Sequence, residues 1–308
     1  MNPGLRTLFL TASLLTVIPA AALSAPNVVA SLKPVHSLVA SIMHGVGEPE
    51  VIIEGAASPH TYQMKPSDAA KLEQADVIFW VGHDMEKFME KPLATLGAKA
   101  KIVELDDAPG LIKLPTRESG TFEPHDDGDA PHADGSEEYD LHLWLSTGNA
   151  KAMAALIEKS LVEADPANAQ AYAKNLTDLD DRLDRLSAEI RTTVAPVKDR
   201  PFIVFHDAYQ YFEKEFGVAV AGSITVSPEN LPGAARIAQI HKKVEELKST
   251  CVFAEPQFEP KLINVVLEGT NARTGVLDPE AGTLEKGEDL YSKMMMEIAT
   301  SLRDCLSK

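Results

Sequence analysis

The sequence has little positive charge and little cysteine. Its 308 residues include 29 lysines and arginines against 46 aspartates and glutamates, a formal net charge of −17, and it has two cysteines. Nucleic-acid phosphates and anionic membranes bind basic faces, so this charge balance argues against both as partners. Hydrophobic residues make up 44% of the chain, which is too many for wholesale disorder. We therefore expect a folded protein that does not bind nucleic acid.

Short motifs with a known mechanism are also missing. The chain contains no HExxH metalloprotease motif, no CxxC pair, no GxSxG nucleophile turn and no GxxxxGK[ST] phosphate loop. Any functional site must therefore be assembled by the fold from residues that are distant in the sequence.

The first 25 residues have the pattern of a secretory signal. Arg6 is their one charged residue, residues 8–18 form an apolar run, and small residues follow up to Ala25. This run is shorter than the roughly 20 residues that span a membrane as a helix. No cysteine lies near residues 22–25 to carry a lipid anchor. We expect a soluble, exported protein.

Export bears on the two cysteines, Cys251 and Cys305. Thiols in an oxidising compartment tend to be paired, so we expect a disulfide between these two, with two free buried thiols as the alternative. Such a bridge would tie the C-terminal helix to a strand and would be structural.

Strand-like runs alternate with helical patterns in two series, which predicts two α/β lobes, each with a small, mainly parallel sheet flanked by helices. Between the series, apolar residues recur at spacings of three and four from Tyr172 to Val194, and this predicts a helix long enough to run along both lobes. The runs are residues 28–32, 51–53, 77–81 and 102–105, and then 202–205, 218–226, 251–254 and 274–277.

The chain has four potential metal ligands. Three of them, His60, His206 and Asp278, follow predicted strands, and the fourth, His142, follows an acid-rich segment in the middle of the chain. In open α/β sheets, ligands bind beyond the carboxyl ends of the strands. Three imidazoles and one carboxylate suit a four-coordinate Zn²⁺ site. The spacings match no local motif, and a lone histidine at a strand end is more often a hydrogen-bonded structural residue than a ligand.

The segments around these residues resemble the metal-binding substrate-binding proteins of ABC transporters, and the zinc-uptake members in particular. The resemblance covers nearly the whole mature chain. It rests on residues 58–62 (SPHTY), 65–68 (KPSD), 140–146 (DLHLWLS), 205–209 (FHDAY), 251–258 (CVFAEPQF) and 275–279 (GVLDP).

This resemblance implies an N-terminal lobe at residues 26–164, one long rigid linking helix at 165–196 and a C-terminal lobe at 197–308, with the metal between the lobes. It implies His60, His142 and His206 as ligands. Family zinc binders complete the shell with the C-lobe aspartate, with water or with a carboxylate before the first histidine. That last position is Pro59 here, which leaves Asp278 or water.

An acidic loop is expected at residues 117–140, which contain nine acidic residues and one basic residue, Arg117. The segment has no helical or strand periodicity. It is either a solvated surface loop or, as the resemblance suggests, a segment that gathers zinc loosely. His125 and His132 would then supply at most one weak secondary site.

The implied function is that of a non-enzymatic periplasmic protein that captures Zn²⁺ and delivers it to an inner-membrane ABC permease. We expect a monomer, and a periplasmic metallochaperone is a further partner to consider. Alternatives are a manganese or iron carrier of the same fold, an adhesin built on it, or an exported zinc hydrolase with Glu255 or Glu229 as the base. Manganese-binding relatives carry a carboxylate where His206 stands, so the histidine favours zinc.

Overall fold

The computed structural model describes residues 25–117, 122, 139–225, 228, 232–247, 250–259 and 261–307. The predicted signal segment, up to residue 24, and most of the acidic loop, including His125 and His132, lie outside these residues. Among the helices of the described part, none is both long and apolar enough to cross a membrane.

The N-terminal lobe is built on a four-stranded parallel sheet in the order β2-β1-β3-β4. Its strands β1 and β3 are fully buried, as expected for apolar strands covered on both faces. The strands are β1 (Val28–Ala30), β2 (Glu50–Val51), β3 (Val77–Trp80) and β4 (Lys101–Glu104), and the helices are α1 (Lys33–Ile42), α2 (Pro66–Gln74), α3 (Glu90–Thr95) and α4 (Thr147–Ala164).

One long helix, α5 (Ala169–Val194), follows the N-terminal lobe. Its 26 residues give a length of about 39 Å, and short 3₁₀ turns, Pro166–Asn168 and Ala195–Val197, flank it. It packs against α1 and α4 of the N-terminal lobe and against the C-terminal helix, Leu290–Leu306. The buried residues follow the predicted apolar stripe except at one position, where Asn175 is buried and the expected Leu176 is only partly buried. The buried residues are Tyr172, Asn175, Leu179, Leu183, Leu186, Ile190 and Val194.

The C-terminal lobe repeats the architecture with a parallel sheet in the order β6-β5-β7-β8. The predicted two-lobe α/β fold with a long helix is therefore confirmed, with strand ends shifted by a residue or two. The strands are β5 (Phe202–His206), β6 (Val220–Thr225), β7 (Cys251–Ala254) and β8 (Arg273–Val276), and the helices are α6 (Gln210–Phe216), α7 (Ala234–Leu247), α8 (Lys261–Leu267) and α9 (Leu290–Leu306).

The predicted disulfide is confirmed: Cys251 is bonded to Cys305. Cys251 begins β7 and Cys305 lies in the last turn of α9, and both are buried. The bond therefore ties the C-terminal helix to the C-terminal sheet, at the amino end of β7.

Candidate metal centre

Three histidines from distant parts of the chain meet between the lobes. One ring nitrogen from each of His60, His142 and His206 lies within 4.8 Å of the other two. The Nε2 atoms of His142 and His206 are 3.2 Å apart. Two rings belong to the N-terminal lobe and one to the C-terminal lobe, so a cation held by all three would bridge the lobes.

The carboxyl ends of strands supply two of these positions, as the sequence predicted. His206 is the last residue of β5, and His60 lies in the loop between β2 and α2. The KPSD segment fixes the far end of that loop, because Asp68 accepts hydrogen bonds from the Lys65 backbone N–H and from the Tyr62 hydroxyl, both at 2.8 Å. His142 immediately precedes a buried 3₁₀ turn, Leu143–Leu145.

Two buried carboxylates orient two of the rings. The Nδ1 of His142 is 2.7 Å from an oxygen of Asp140, and the Nδ1 of His206 is 2.6 Å from an oxygen of Glu255. A carboxylate that accepts from Nδ1–H leaves Nε2 as the metal-binding atom and fixes the ring plane, as is usual behind metal-bound histidines. When these two rings are neutral, their Nε2 atoms, which face each other across the lobes, are therefore the acceptors that can bind a cation.

Sequence reasoning missed this role for both acids. Asp140 appeared only as the last acid of the acidic loop and in the DLHLWLS block, and Glu255 only in the CVFAEPQF block and as a base for the hydrolase alternative. Signals were present, since Asp140 stands two residues before His142 and Glu255 directly follows β7, the neighbour of β5. Glu255 also lies 3.3 Å from the Tyr209 hydroxyl, which donates to it. Glu229 lies outside the described residues.

Burial sets the protonation of the cluster. It lowers the pKa of His60 and of His142 well below the usual value of 6.5, and the neighbouring imidazoles lower it further. Burial also opposes charge on His206, but the adjoining Glu255 carboxylate, together with Asp207 and Asp140, outweighs this and raises the pKa of His206. Metal-binding histidines must be neutral, so His60 and His142 are already in the required state at neutral pH.

The fourth sequence candidate, Asp278, is not part of the three-histidine group. It lies just beyond β8, where its Oδ1 accepts from the Gln257 side chain at 2.7 Å and from the Glu280 N–H at 3.3 Å. Its Oδ2 accepts from the Thr283 N–H at 3.3 Å and from the Thr283 hydroxyl at 3.4 Å. These bonds make it the organiser of its own turn, and its role as a ligand stays a prediction.

Comparisons with known proteins agree with one another. Residues 28–305 match the family model described as zinc-uptake complex component A, periplasmic. The chain is 51% identical to the high-affinity zinc uptake system protein ZnuA of Brucella suis, over 99% of each chain. A crystal structure of ZnuA superposes with a TM-score of 0.77 at 26% identity, covering 91% of this chain and 99% of that one. A zinc-bound ZnuA deletion mutant gives 0.75 at 26% identity, covering 92% and 99%.

Proposed function

The chain belongs to the ZnuA family of periplasmic zinc-uptake components, and from that membership we propose that it captures Zn²⁺ between its lobes and delivers it to an inner-membrane ABC permease. The observation that carries the proposal is the convergence of three imidazoles from both lobes, of which those of His142 and His206 are buried and that of His60 is partly buried. Imidazole-rich sites suit zinc, whereas manganese prefers oxygen ligands.

The proposed ligands are the Nε2 atoms of His142 and His206 and one ring nitrogen of His60. Asp278 or a water molecule takes the fourth position. Asp278 would have to exchange its hydrogen bonds from Gln257 and Thr283 for the metal, whereas a water would leave the turn undisturbed. The proposal includes no catalytic step. The contact between Glu255 and His206 supports this, because the carboxylate that a hydrolase would use as its base already orients the His206 ring.

The proposal extends to the organisation of the chain. Removal of the first 25 residues on export would leave lobes at 26–164 and 197–308 around a linking helix at 165–196. The buried disulfide supports an oxidising compartment. The mature protein would act as a monomer, with the permease as its main partner and a periplasmic metallochaperone as a further one.

Metal analysis and calorimetry on the mature chain test the function. We expect one tightly bound Zn²⁺ per chain and weaker binding of Mn²⁺ in competition titrations. A chain that holds no tight zinc, or that prefers manganese, would contradict the proposal. Turnover assays against esters and peptides with the zinc-loaded protein separate it from the hydrolase alternative.

The acidic loop is proposed as a secondary element, with His125 and His132 giving at most one weak site. Its ends lie together, because Pro115 and Tyr139 form an antiparallel bridge and the Asp140 N–H donates to the Leu114 carbonyl at 2.8 Å. A short glycine-serine link can therefore replace residues 118–138. We expect this variant to keep one tight zinc and to lose only weak binding in calorimetry.

The control for the loop deletion is the same deletion combined with His142→Ala. Because His142 lies outside the deleted segment, the combined variant should lose the tight site. If the deletion alone abolishes the tight site, the loop must supply a primary ligand and the proposed ligand set is wrong.

The orienting carboxylate of His206 gives a second prediction. Glu255→Gln keeps the shape of the side chain but removes its charge, and we expect the zinc affinity to fall by about 10- to 100-fold, the range typical of such outer partners. Glu86→Gln is the matched control, because Glu86 is fully buried but accepts from the Ser31 hydroxyl and from the Val81 and Gly82 N–H groups. Equal zinc affinities in the two variants would contradict an orienting role for Glu255.

A further inference from the structure

A lysine of the N-terminal lobe inserts its ammonium group into a turn of the C-terminal lobe. Lys33 begins α1, and only 6% of its surface is exposed. Its Nζ donates to the carbonyl oxygens of Ala281 at 2.7 Å, Gly282 at 3.0 Å and Leu284 at 2.7 Å. An ammonium has three protons to donate, so these bonds use its whole capacity on one backbone segment, residues 278–284, here called the 278–284 turn.

The 278–284 turn packs against both histidine-bearing segments of the N-terminal lobe. The Pro279 carbonyl accepts from the Trp144 indole N–H at 2.8 Å, two residues beyond the histidine at 142. Gly282 lies against Ala56, in the loop that leads to the histidine at 60. A Cβ added at Gly282 would lie 2.8 Å from the Ala56 Cα, a separation that real Cβ atoms do not reach.

The same turn reaches the third histidine through its own lobe. Asp278, the first residue of the turn, accepts from Gln257 at 2.7 Å. Gln257 stands two residues after Glu255, whose carboxylate holds the ring of His206. The 278–284 turn therefore adjoins the supports of all three candidate ligands, although it lies outside the histidine cluster itself.

The backbone conformation of the turn needs stabilising contacts from residues outside it. Ala281 has φ of +53°, and among the described residues it is the one non-glycine residue with positive φ. This conformation is unfavourable for a residue with a Cβ and persists where the surroundings impose it. Lys33 binds the carbonyls of this residue and of the next, so the cation is placed where it can impose the conformation.

We propose that Lys33 is a positioning residue for metal capture: by pinning the 278–284 turn across the lobe boundary, it fixes the spacing of the three histidines and slows the dissociation of zinc. This inference rests on the proposed zinc-binding function. It assigns control over the residence time of the metal to a side chain that does not touch the metal.

The test measures zinc dissociation by transfer from the loaded full-length mature protein to an excess of a chromophoric chelator. Lys33→Met keeps an unbranched side chain but loses the three hydrogen bonds, and we expect dissociation to be about tenfold faster, as for loss of other outer supports. Lys71→Met is the matched control, because Lys71 donates to the Val51 carbonyl at 2.7 Å within the N-terminal lobe. It should dissociate at the wild-type rate.

Gly282→Ala tests the inference from the other side of the turn. The added Cβ displaces the turn from Ala56 while leaving Lys33 in place, so dissociation should again be faster. The visible absorption of the Co²⁺-loaded protein should change in Lys33→Met and in Gly282→Ala and stay unchanged in Lys71→Met. A purely structural role would lower the urea midpoint of the metal-free protein without altering either readout.

Wild-type dissociation rates in both Lys33→Met and Gly282→Ala would overturn the inference. If Lys33→Met does not fold, Gly282→Ala decides, together with Lys33→Arg, which keeps the charge and should lie between Lys33→Met and the wild type. Failure of the proposed function is distinct, because the wild-type chain itself would then hold no tight zinc and there would be no dissociation to compare.

Discussion

Replacing His206 by glutamate is expected to weaken zinc binding strongly and to shift the preference towards manganese. The substitution exchanges an imidazole for an oxygen ligand in a site that bridges the lobes, and manganese gains from such ligands relative to zinc. Because a primary ligand is changed, the loss of zinc affinity should exceed the roughly 10- to 100-fold cost of losing an outer partner. Competition titrations of Zn²⁺ against Mn²⁺ measure the affinity ratio directly.

The neighbourhood of His206 sets the controls for this experiment. Glu255 lies 2.6 Å from the ring, so an introduced carboxylate would face a second one, and His206→Glu should also be made together with Glu255→Gln. His241→Glu adds the same charge on α7, away from the cluster, and should leave the ratio unchanged. A zinc-to-manganese ratio unaltered in both His206 variants would show that this position does not select the metal.

Removing the disulfide is expected to cost much of the stability and to leave the zinc site intact. The bond joins residues that are 54 positions apart. In the chain-entropy account, removing a cross-link that closes a loop of this length lowers the free energy of unfolding by about 4 kcal/mol. Stabilities of whole domains are only about 5–15 kcal/mol. Urea unfolding of the Cys251→Ala/Cys305→Ala double variant should therefore show a clearly lower midpoint than the oxidised wild type.

The same double variant should still bind one zinc, because Cys251 lies at the start of β7 and the carboxylate that orients His206 follows its end. Reduced wild-type protein is the control, since it loses the bond without a change of side chain. An unchanged unfolding midpoint in both samples would show that packing of α9 alone supplies the stability attributed here to the cross-link.

The sequence predicted the fold well because its signals were local. Buried parallel strands appear as apolar runs, and the stripe from Tyr172 to Val194 matches the buried face of α5. The strand-end rule also placed His60 and His206, which follow strands of the two sheets, in the crevice between the lobes, whereas His142 follows the acidic segment and was implied as a ligand by the resemblance. Two cysteines left a single intramolecular pairing, and the structure confirmed it.

What the sequence could not predict depends on contacts between distant segments. A lysine at the start of a helix normally points into solvent, and the burial of Lys33 follows only from carbonyls about 250 positions later. Asp278 was predicted as a ligand from its place after β8, but its oxygens are occupied by a turn whose geometry no spacing rule gives. Asp140 and Glu255 were also noticed in the sequence, but their contacts with His142 and His206 could not be predicted from it.

The long helix α5 has a kinetic consequence. A carrier that bends at its connection spends time closing on its cargo, and that domain motion can limit loading. Here the connection is a continuous helix whose buried face is packed by both halves of the molecule, so this helix offers no flexible joint. We therefore expect loading to be governed by the exchange of the cation's hydration water for ring nitrogens, a chemical step, and the loaded and empty forms to have nearly the same outline.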